Sequence, residues 1–157
     1  MIRPMIKNDI PRVAEIQVFA YRTTDRGILS DEFLFNTMTV ASRMDYFNDL
    51  LQCETDESYV FDDGIVKGFI TFVPSKDWQL SSIYVDTFFQ RTGVGAELMV
   101  FFEKSAAKRN SPSVCLWVLE KNNIARNFYE KLGYSPNGET STGGLGTVEI
   151  KYIKQTI

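Results

Sequence analysis

Residues 90–95 read Gln-Arg-Thr-Gly-Val-Gly and stand between a β-rich run and a helical run. The first turn of a helix has unpaired N–H groups and a partial positive charge. Glycine also lets the backbone approach an anion without a Cβ in the way. Gly93 and Gly95, with the amides from Arg91 to Ala96 as donors, therefore predict a cradle for a phosphate group.

Two common nucleotide signatures do not fit this loop. No Lys-Ser or Lys-Thr follows the glycines, which excludes a P-loop, and Leu98 stands where a dinucleotide signature has its third glycine. The alternative to a phosphate cradle is a Gly-rich helix entry that binds nothing. The loop on its own does not decide between the two.

Few side chains are available for proton transfer, because the chain has no histidine. Histidine is the usual general base and the commonest metal ligand, so acid–base chemistry falls to Asp, Glu, Tyr, Cys, Lys or ordered water, and no metal is expected. The two widely spaced cysteines, Cys53 and Cys115, make neither a disulfide framework nor a zinc site. We expect two free thiols that pack as small hydrophobes.

The composition is that of one ordinary globular domain, and we assign residues 1–157 to it. A net charge of −3 argues against a nucleic-acid partner, which would need a basic surface. No stretch approaches the roughly 18 apolar residues of a membrane span, and the charged, proline-containing N-terminus does not resemble a signal peptide. These features predict a cytoplasmic protein with no membrane partner.

The first half of the chain reads as helical after a short extended start. Asn8 or Asp9 caps the first predicted helix, which has Pro11 in its first turn. Ser30 or Asp31 caps a second predicted helix, and Ser42 opens a third, with apolar residues at helical spacing.

The pattern becomes β-rich at residue 58. The turn Asp62-Asp63-Gly64 between two such runs predicts a β-hairpin. In the next strand the apolar alternation slips near Ser81 and Ser82, as a β-bulge would produce. A helix after the Gly-rich loop, a nearly continuous apolar strand at 114–119, a helix ending near Gly133 and a final hairpin follow. This order predicts a mixed α/β domain with one central sheet.

Two motifs in this order resemble those of one known family. The loop at 90–95 matches the Q/R-x-x-G-x-G/A signature of the GNAT superfamily, the acyl-CoA-dependent N-acyltransferases. A second block resembles the family's N-x-x-A-x-x-F-Y-E-K-x-G-F/Y run: Asn122-Asn123-Ile124-Ala125, then Phe128-Tyr129-Glu130-Lys131-Leu132-Gly133-Tyr134. The resemblance is strong over residues 58–134 and vaguer before them.

The resemblance implies an α/β (α+β) fold with a mixed, mostly antiparallel central sheet, flanking helices, and a cleft where the fourth and fifth strands splay apart. Acetyl-CoA would enter this cleft as acyl donor, with no metal. Its pyrophosphate would bind the backbone amides of the Gly-rich loop, its pantetheine arm would pair with the strand before that loop, and Asn122 would bond the pantetheine or cap the next helix. The implied cofactor-binding residues are Ile83, Tyr84, Val85, Gln90, Arg91, Thr92, Gly93, Val94, Gly95, Ala96 and Asn122.

The resemblance also implies a catalytic role for Tyr129. Acetyl transfer to an amine leaves a CoA thiolate, and Tyr129 matches the family's general acid, which would give that sulfur a proton. A backbone N–H at or near Val85 would polarise the thioester carbonyl. No cysteine lies in either motif, so we expect direct attack by a primary amine in a ternary complex rather than an acyl-enzyme.

Four points stay open. Many members of the family carry a Glu as general base in the strand before the loop, but residues 78–82 contain no carboxylate. Asp25 and Glu32 are candidate bases at the end of a water chain. Asp86, directly after the strand, is a candidate base or a cap of the loop.

Four aromatic residues are candidates for either the acceptor pocket or the core: Phe19, Tyr21, Trp78 and Tyr84. The acceptor is a small-molecule or peptide amine, and a homodimer is possible. A non-catalytic acyl-CoA-binding or regulatory module, or a nucleotide-phosphate binder, are the alternatives to an enzyme.

Overall fold

One seven-stranded sheet organises the protein in a computed structural model that describes residues 1–156. The strands lie in the order β1-β2-β3-β4-β5-β7-β6, and every neighbouring pair is antiparallel except β4 and β5. The predicted mixed, mostly antiparallel sheet is confirmed. The strands are β1 Ile2–Pro4, β2 Glu57–Asp62, β3 Val66–Val73, β4 Gln79–Val85, β5 Ser113–Leu119, β6 Ser135–Thr142 and β7 Val148–Gln155.

Four α-helices cover the sheet: α1 Ile10–Thr24, α2 Val40–Leu50, α3 Val94–Lys108 and α4 Asn123–Lys131. Successive residues of a strand point to opposite faces, and the core is divided accordingly. Val60 and Phe69 pack with α1 and α2, whereas the next residues along, Phe61 and Ile70, pack in the cluster that contains α3. Within residues 1–156, no helix combines the length and the apolar character needed to cross a membrane.

The helix boundaries correct two predictions. Helix α2 begins at Val40 rather than at Ser42, because Thr39 is its N-cap: the Ser42 amide donates to Thr39 Oγ1 over 3.2 Å, and the Thr39 amide donates to Ser42 Oγ over 3.1 Å. Ser42 is therefore the third residue of a reciprocal cap. The predicted second helix continues as a short π-helix, Phe33–Thr37, and Ser30 Oγ accepts from the Phe33 amide as a cap would.

The predicted hairpin and bulge are both present. Gly64 has a φ of 107° in the turn between β2 and β3, a left-handed conformation that favours glycine. Thr71 pairs with Ser82 but Phe72 pairs with Leu80, so Ser81 is the extra residue on β4. A bulge bends the strand that carries it.

This bulge lies at the point where β4 leaves β5. The parallel pairing between them consists of Gln79 with Cys115 and Leu80 with Leu116, and the bulge residue Ser81 follows at once. Beyond it the two strands diverge and leave a V-shaped gap in the sheet, as the resemblance implied.

Candidate active site

A cleft of about 840 Å³ opens in the gap between β4 and β5. Residues 81–85 of β4 and 116–119 of β5 form its two walls. The start of α3, the start of α4, the end of α1 and the turn before β7 close it. Four separate stretches of the chain, within residues 20–33, 80–96, 116–131 and 143–149, thus surround one cavity.

The Gly-rich loop enters α3 through two left-handed residues. Arg91 has a φ of 61° and Gly93, the N-cap, has a φ of 96°. Thr92 Oγ1 donates to the Phe89 carbonyl over 2.6 Å and braces the turn. The amides of Val94, Gly95 and Ala96 precede the first hydrogen bond of the helix, from Glu97 N to Gly93 O, so they are available as donors to an anion.

Most of the residues predicted to bind cofactor surround this cleft. Thr92 and Val94 are not on its wall: Thr92 is exposed, and the Val94 side chain is buried in the core, so its contribution would be a backbone amide. Those that line the cleft are Ile83, Tyr84, Val85, Gln90, Arg91, Gly93, Gly95, Ala96 and Asn122.

The left-handed turn at Gly93 leads to a test of the loop. Gly93→Ala is expected to raise the KM for acetyl-CoA about 5- to 30-fold, because an L-residue at this φ costs roughly 1–2 kcal/mol and the loop relaxes away from its binding conformation. A Cβ at Gly93 has open space around it, so a steric clash does not contribute. The measurement is steady-state kinetics with varied acetyl-CoA.

Gly138 offers a matched control for this substitution. Its φ is 92°, it also has open space around its Cβ position, and it lies in β6 away from the cleft. Gly138→Ala should lose a similar amount of stability and leave the KM unchanged. Equal KM values for the two variants would contradict a cofactor role for the loop.

The backbone of β4 presents alternate residues to the cleft. The Asp86 amide donates to the Lys67 carbonyl of the β3 side over 2.9 Å. Since every second residue of an antiparallel ladder bonds the same neighbour, the N–H and C=O groups of Ile83 and Val85 point to the other side, where β5 has diverged. Gln90 Nε2 donates to the Val85 carbonyl over 3.3 Å, which places that side chain at the same edge.

Tyr129 lies on α4 with its ring buried and lines the cleft. The ring is 8% exposed and packs edge-on against Phe128 and Tyr134, at centroid distances of 5.3 and 6.0 Å. Burial raises the pKa of the phenol above its ordinary value, so the hydroxyl carries its proton at neutral pH. A protonated phenol is the form that a proton donor requires.

Asp25, one of the candidate bases from the sequence, is buried in the structure. It stands at the end of α1, is 5% exposed, and lines the same cleft as Tyr129. Its Oδ1 accepts a hydrogen bond from Asn122 Nδ2 over 3.3 Å. Burial raises the pKa of the Asp25 carboxyl from 3.8 to about 6. Glu32, the other candidate base, is exposed and outside the cleft.

Asn122 connects this carboxylate to α4. Its Oδ1 accepts from the Ala125 amide over 3.0 Å, so Asn122 caps the helix as predicted, while its Nδ2 donates to Asp25. One amide side chain therefore holds the end of α1 and the start of α4 in a common geometry.

The buried carboxylate makes stability depend on pH. Because the pKa of Asp25 is higher in the folded than in the unfolded chain, its ionisation costs stability as the pH rises from about 4 to about 6, and the full cost persists above that range. Asp25→Asn is therefore expected to raise the free energy of unfolding by up to about 3 kcal/mol at pH 8 and to change it little at pH 4. Urea denaturation at the two pH values measures the change in the free energy of unfolding. An Asp25→Asn variant less stable than the wild type at pH 8 would contradict a raised pKa for Asp25.

The four candidate pocket aromatics divide into two groups. Tyr21 and Tyr84 line the cleft and stack on each other, with ring centroids 5.3 Å apart. Trp78 is instead a core residue, 3% exposed, that packs against Phe72 and Phe102. Phe19 is half-exposed on a different surface. Of the two alternatives left open for each aromatic, Trp78 thus takes the core and Tyr21 and Tyr84 the cleft, whereas Phe19 takes neither.

An ion pair that the sequence did not indicate braces the entrance of the Gly-rich loop. Asp86 follows β4, and its Oδ1 accepts from the Phe88 amide over 2.8 Å. Its other oxygen bonds the guanidinium of Arg12 on α1, and Arg12 Nε donates to the Val66 carbonyl over 3.1 Å. Asp86 thus caps a short turn and ties it to α1 and β3.

Comparison with known proteins places this architecture. Residues 27–134 match the sequence profile of the acetyltransferase (GNAT) family. The chain belongs to the GNAT acetyltransferase family. Over 64 residues it is 36% identical to a probable N-acetyltransferase of Mycobacterium tuberculosis, an alignment that covers 41% of this chain and 35% of that protein. The chain therefore aligns with about a third of the length of that curated relative.

Solved GNAT structures share the fold over nearly the whole chain. The PaiA N-acetyltransferase of Thermoplasma acidophilum, solved with coenzyme A, has a TM-score of 0.79 at 19% identity and covers 99% of this chain and 98% of its own. A ribosomal-protein-alanine N-acetyltransferase of Brucella melitensis has a TM-score of 0.74 at 18% identity and covers 99% of each chain. At these identities the likeness establishes the GNAT fold.

Proposed function

We propose that this GNAT protein transfers the acetyl group of acetyl-CoA to a primary amine by direct attack in a ternary complex. One observation carries the proposal: the anion-binding start of α3 and the protonated phenol of Tyr129 face the same cleft between β4 and β5. A phosphate site and a proton donor in one cavity suit a thioester on a phosphate-bearing carrier.

The cleft offers a binding group for each part of acetyl-CoA. The pyrophosphate would accept hydrogen bonds from the amides of residues 91–96. The pantetheine arm would lie in the gap beside β4 and pair with the backbone groups of Ile83 and Val85 that face away from β3, as an added strand does. Asn122, already the cap of α4, would lie beside this arm. Gly95 lets the start of α3 approach α4 closely, because a Cβ there would press on the Phe128 ring at 3.3 Å.

Tyr129 would then protonate the leaving thiolate. Attack by nitrogen on the thioester carbon pushes electrons onto the carbonyl oxygen, where the Val85 N–H would stabilise them. When the C–S bond breaks, the Tyr129 hydroxyl donates to the sulfur. Cys53 and Cys115 both lie outside the cleft, which favours direct transfer over an acyl-cysteine intermediate.

The acceptor would enter past the segments that line the cleft outside the phosphate loop. Leu29 and Phe33, which follow α1, line it, and so do residues of the turn at 143–147 before β7. Both flanking segments are loops or short turns, which suits an acceptor that reaches in from solvent. A small-molecule amine and a peptide amine both satisfy this geometry.

The first experiment pairs ligand binding with turnover. Thermal shifts with acetyl-CoA, CoA and ATP are measured beside thiol release with spermidine, kanamycin, lysine methyl ester and a trialanine amide. A ligand at about 100 times its dissociation constant stabilises by about 2.7 kcal/mol, which is readily detected. We expect acetyl-CoA to stabilise the protein more than ATP does, and at least one amine to release thiol.

The other outcomes separate the alternatives. Stabilisation by acetyl-CoA with no thiol release from any amine would favour a non-catalytic acyl-CoA-binding module. Stronger stabilisation by ATP would favour a nucleotide-phosphate binder. No response to acetyl-CoA would mean that the glycines serve only as a joint between β4 and α3.

A further inference from the structure

Asp25 is a buried carboxylate with little to stabilise its charge. Within residues 1–156, the one side-chain hydrogen bond to it comes from Asn122 over 3.3 Å, and it takes part in no ion pair. It also follows the C-terminal end of α1, where the helix dipole disfavours a negative charge. An asparagine would make the same hydrogen bond without these costs, so folding alone gives no reason for a carboxylate here.

Asp25 lines the same cleft as Tyr129 and Asn122. Its partner Asn122 caps α4, and Tyr129 lies seven residues further on, about two turns along that helix. The stacked rings of Tyr21 and Tyr84 line the same cleft. Asp25 therefore stands on the cleft wall where the end of α1 meets the helix that carries Tyr129.

Strand β4 supplies no carboxylate to the cleft. Residues 79–82 of β4 are Gln, Leu, Ser and Ser. One other carboxylate lines the cleft within the described chain: Glu149, half-exposed on β7, beside the turn at Gly143. Glu149 is on the solvent side, whereas Asp25 is enclosed next to Asn122.

We propose that Asp25 is the general base that deprotonates the attacking amine, in place of a carboxylate on β4. This inference rests on the proposed acetyl transfer and adds the identity of the base to it. It also makes the end of α1, rather than the central sheet, the source of the proton acceptor.

The proton transfers balance around the two residues. Asp25 takes one proton from the incoming ammonium, R–NH₃⁺, and leaves a neutral amine. The N–C bond forms, the C–S bond breaks, and Tyr129 donates its proton to the leaving sulfur. Nitrogen, still carrying one proton more than the amide needs, returns that proton to the Tyr129 phenolate. The products are R–NH–acetyl, CoA–SH and neutral Asp25, which then loses its proton to water.

The Asn122 amide bonds Asp25, and the phenols of Tyr21, Tyr84 and Tyr129, whose pKa values are all raised by burial, line the same cleft and are neutral near pH 7. The other charged side chains that line the cleft within residues 1–156 are Arg91, Lys131 and Glu149. Burial alone raises the pKa of Asp25 to about 6, so the carboxylate is ionised at neutral pH but remains basic enough to accept a proton.

The test compares Asp25→Asn with the wild type, using whichever of spermidine, kanamycin, lysine methyl ester or trialanine amide turns over fastest. We expect kcat at pH 7 to fall at least 100-fold, with the KM for acetyl-CoA within about threefold of the wild type. The wild-type rate should rise with pH through about 6, and the variant should lose that inflection. Acetylation of a hydrazide, which is unprotonated at pH 7, should fall much less.

Two further variants separate catalysis from structure. Glu32→Gln removes an exposed carboxylate outside the cleft and should match the wild type. Glu149→Gln tests the competing carboxylate: if it abolishes the inflection and Asp25→Asn does not, the assignment is overturned. A change in acceptor KM alone for Asp25→Asn would also overturn it, because that result describes a binding residue.

Failure of the two proposals looks different. If the wild type releases no thiol with any of the amines, the proposed acetyl transfer is contradicted, and so is the assignment of Asp25 as its general base. If the wild type is active and Asp25→Asn keeps its kcat and its pH profile, Asp25 alone is excluded and acetyl transfer stands.

Discussion

Replacing Tyr129 by Phe is expected to lower kcat by roughly 10²–10⁴-fold while acetyl-CoA binds as well as before. The substitution removes only the hydroxyl, and the ring keeps its edge-on packing against Phe128 and Tyr134. Without the phenol, the thiolate must leave without a proton from Tyr129. The measurements are single-turnover thiol release and calorimetric titration with acetyl-CoA.

Tyr134 is a matched control for this experiment. It is also a buried tyrosine, 2% exposed, and its hydroxyl has no partner among the described residues. Tyr134 lies in the core rather than on the cleft wall. Tyr134→Phe should therefore leave kcat unchanged and cost no stability, since it removes an unsatisfied polar group. Equal loss of activity in both variants would indicate a packing effect and not proton donation.

The second large effect is expected at the pair of Arg12 and Asp86. Arg12→Met should cost about 3 kcal/mol of stability, because the buried Asp86 carboxylate, 11% exposed, loses its cation. This is the lower end of the range for buried ion pairs, since the Arg12 side chain is 30% exposed. The KM for acetyl-CoA should also rise, since Asp86 caps the turn that leads into the Gly-rich loop. Urea denaturation and steady-state kinetics measure the two effects separately.

Two comparisons interpret the Arg12 result. The double variant Arg12→Met/Asp86→Asn should recover much of the lost stability, because the one carboxylate left without Arg12 is Glu15, whose side chain is 48% exposed. Arg3→Met removes a guanidinium of similar exposure, 27%, from Asp9 and Asp62 at the far edge of the sheet. It should lose stability without changing the KM. A similar rise in KM for Arg3→Met would show that general destabilisation, not the loop, controls cofactor affinity.

Local sequence signals predicted those features that neighbouring residues determine. Asp62-Asp63-Gly64 marked a hairpin because its turn requires a left-handed glycine, and the slip at Ser81 marked a bulge because alternation along a strand is strict. The fold class followed from the order of such elements and from two motifs. The predicted start of α2 is two residues late because Ser42 and Thr39 are both good helix caps. Only the reciprocal hydrogen bonds between them show that Thr39 is the N-cap.

Burial and pairing across the chain could not be predicted in this way. Asp25 stands in a polar run, Thr-Thr-Asp-Arg-Gly, that is typical of an exposed loop, and it is buried only because α1 ends against the start of α4. Arg12 and Asp86 are 74 residues apart, and neither belongs to a motif. Trp78 also follows a polar turn, yet its side chain packs in the core against Phe102 of α3.

The narrow pairing between β4 and β5 has a consequence for the dynamics of the molecule. Strands β1–β4 and β5–β7 each form a continuous set of ladders, and within residues 1–156 the strand pairing between the two sets consists of two residue pairs. Such a seam marks a boundary between cooperative units that open independently in hydrogen exchange. A ligand arm lying in the gap would act as a short additional strand between the halves. Acetyl-CoA should therefore slow amide exchange in β4 and β5 together and turn two half-sheets into one unit of stability.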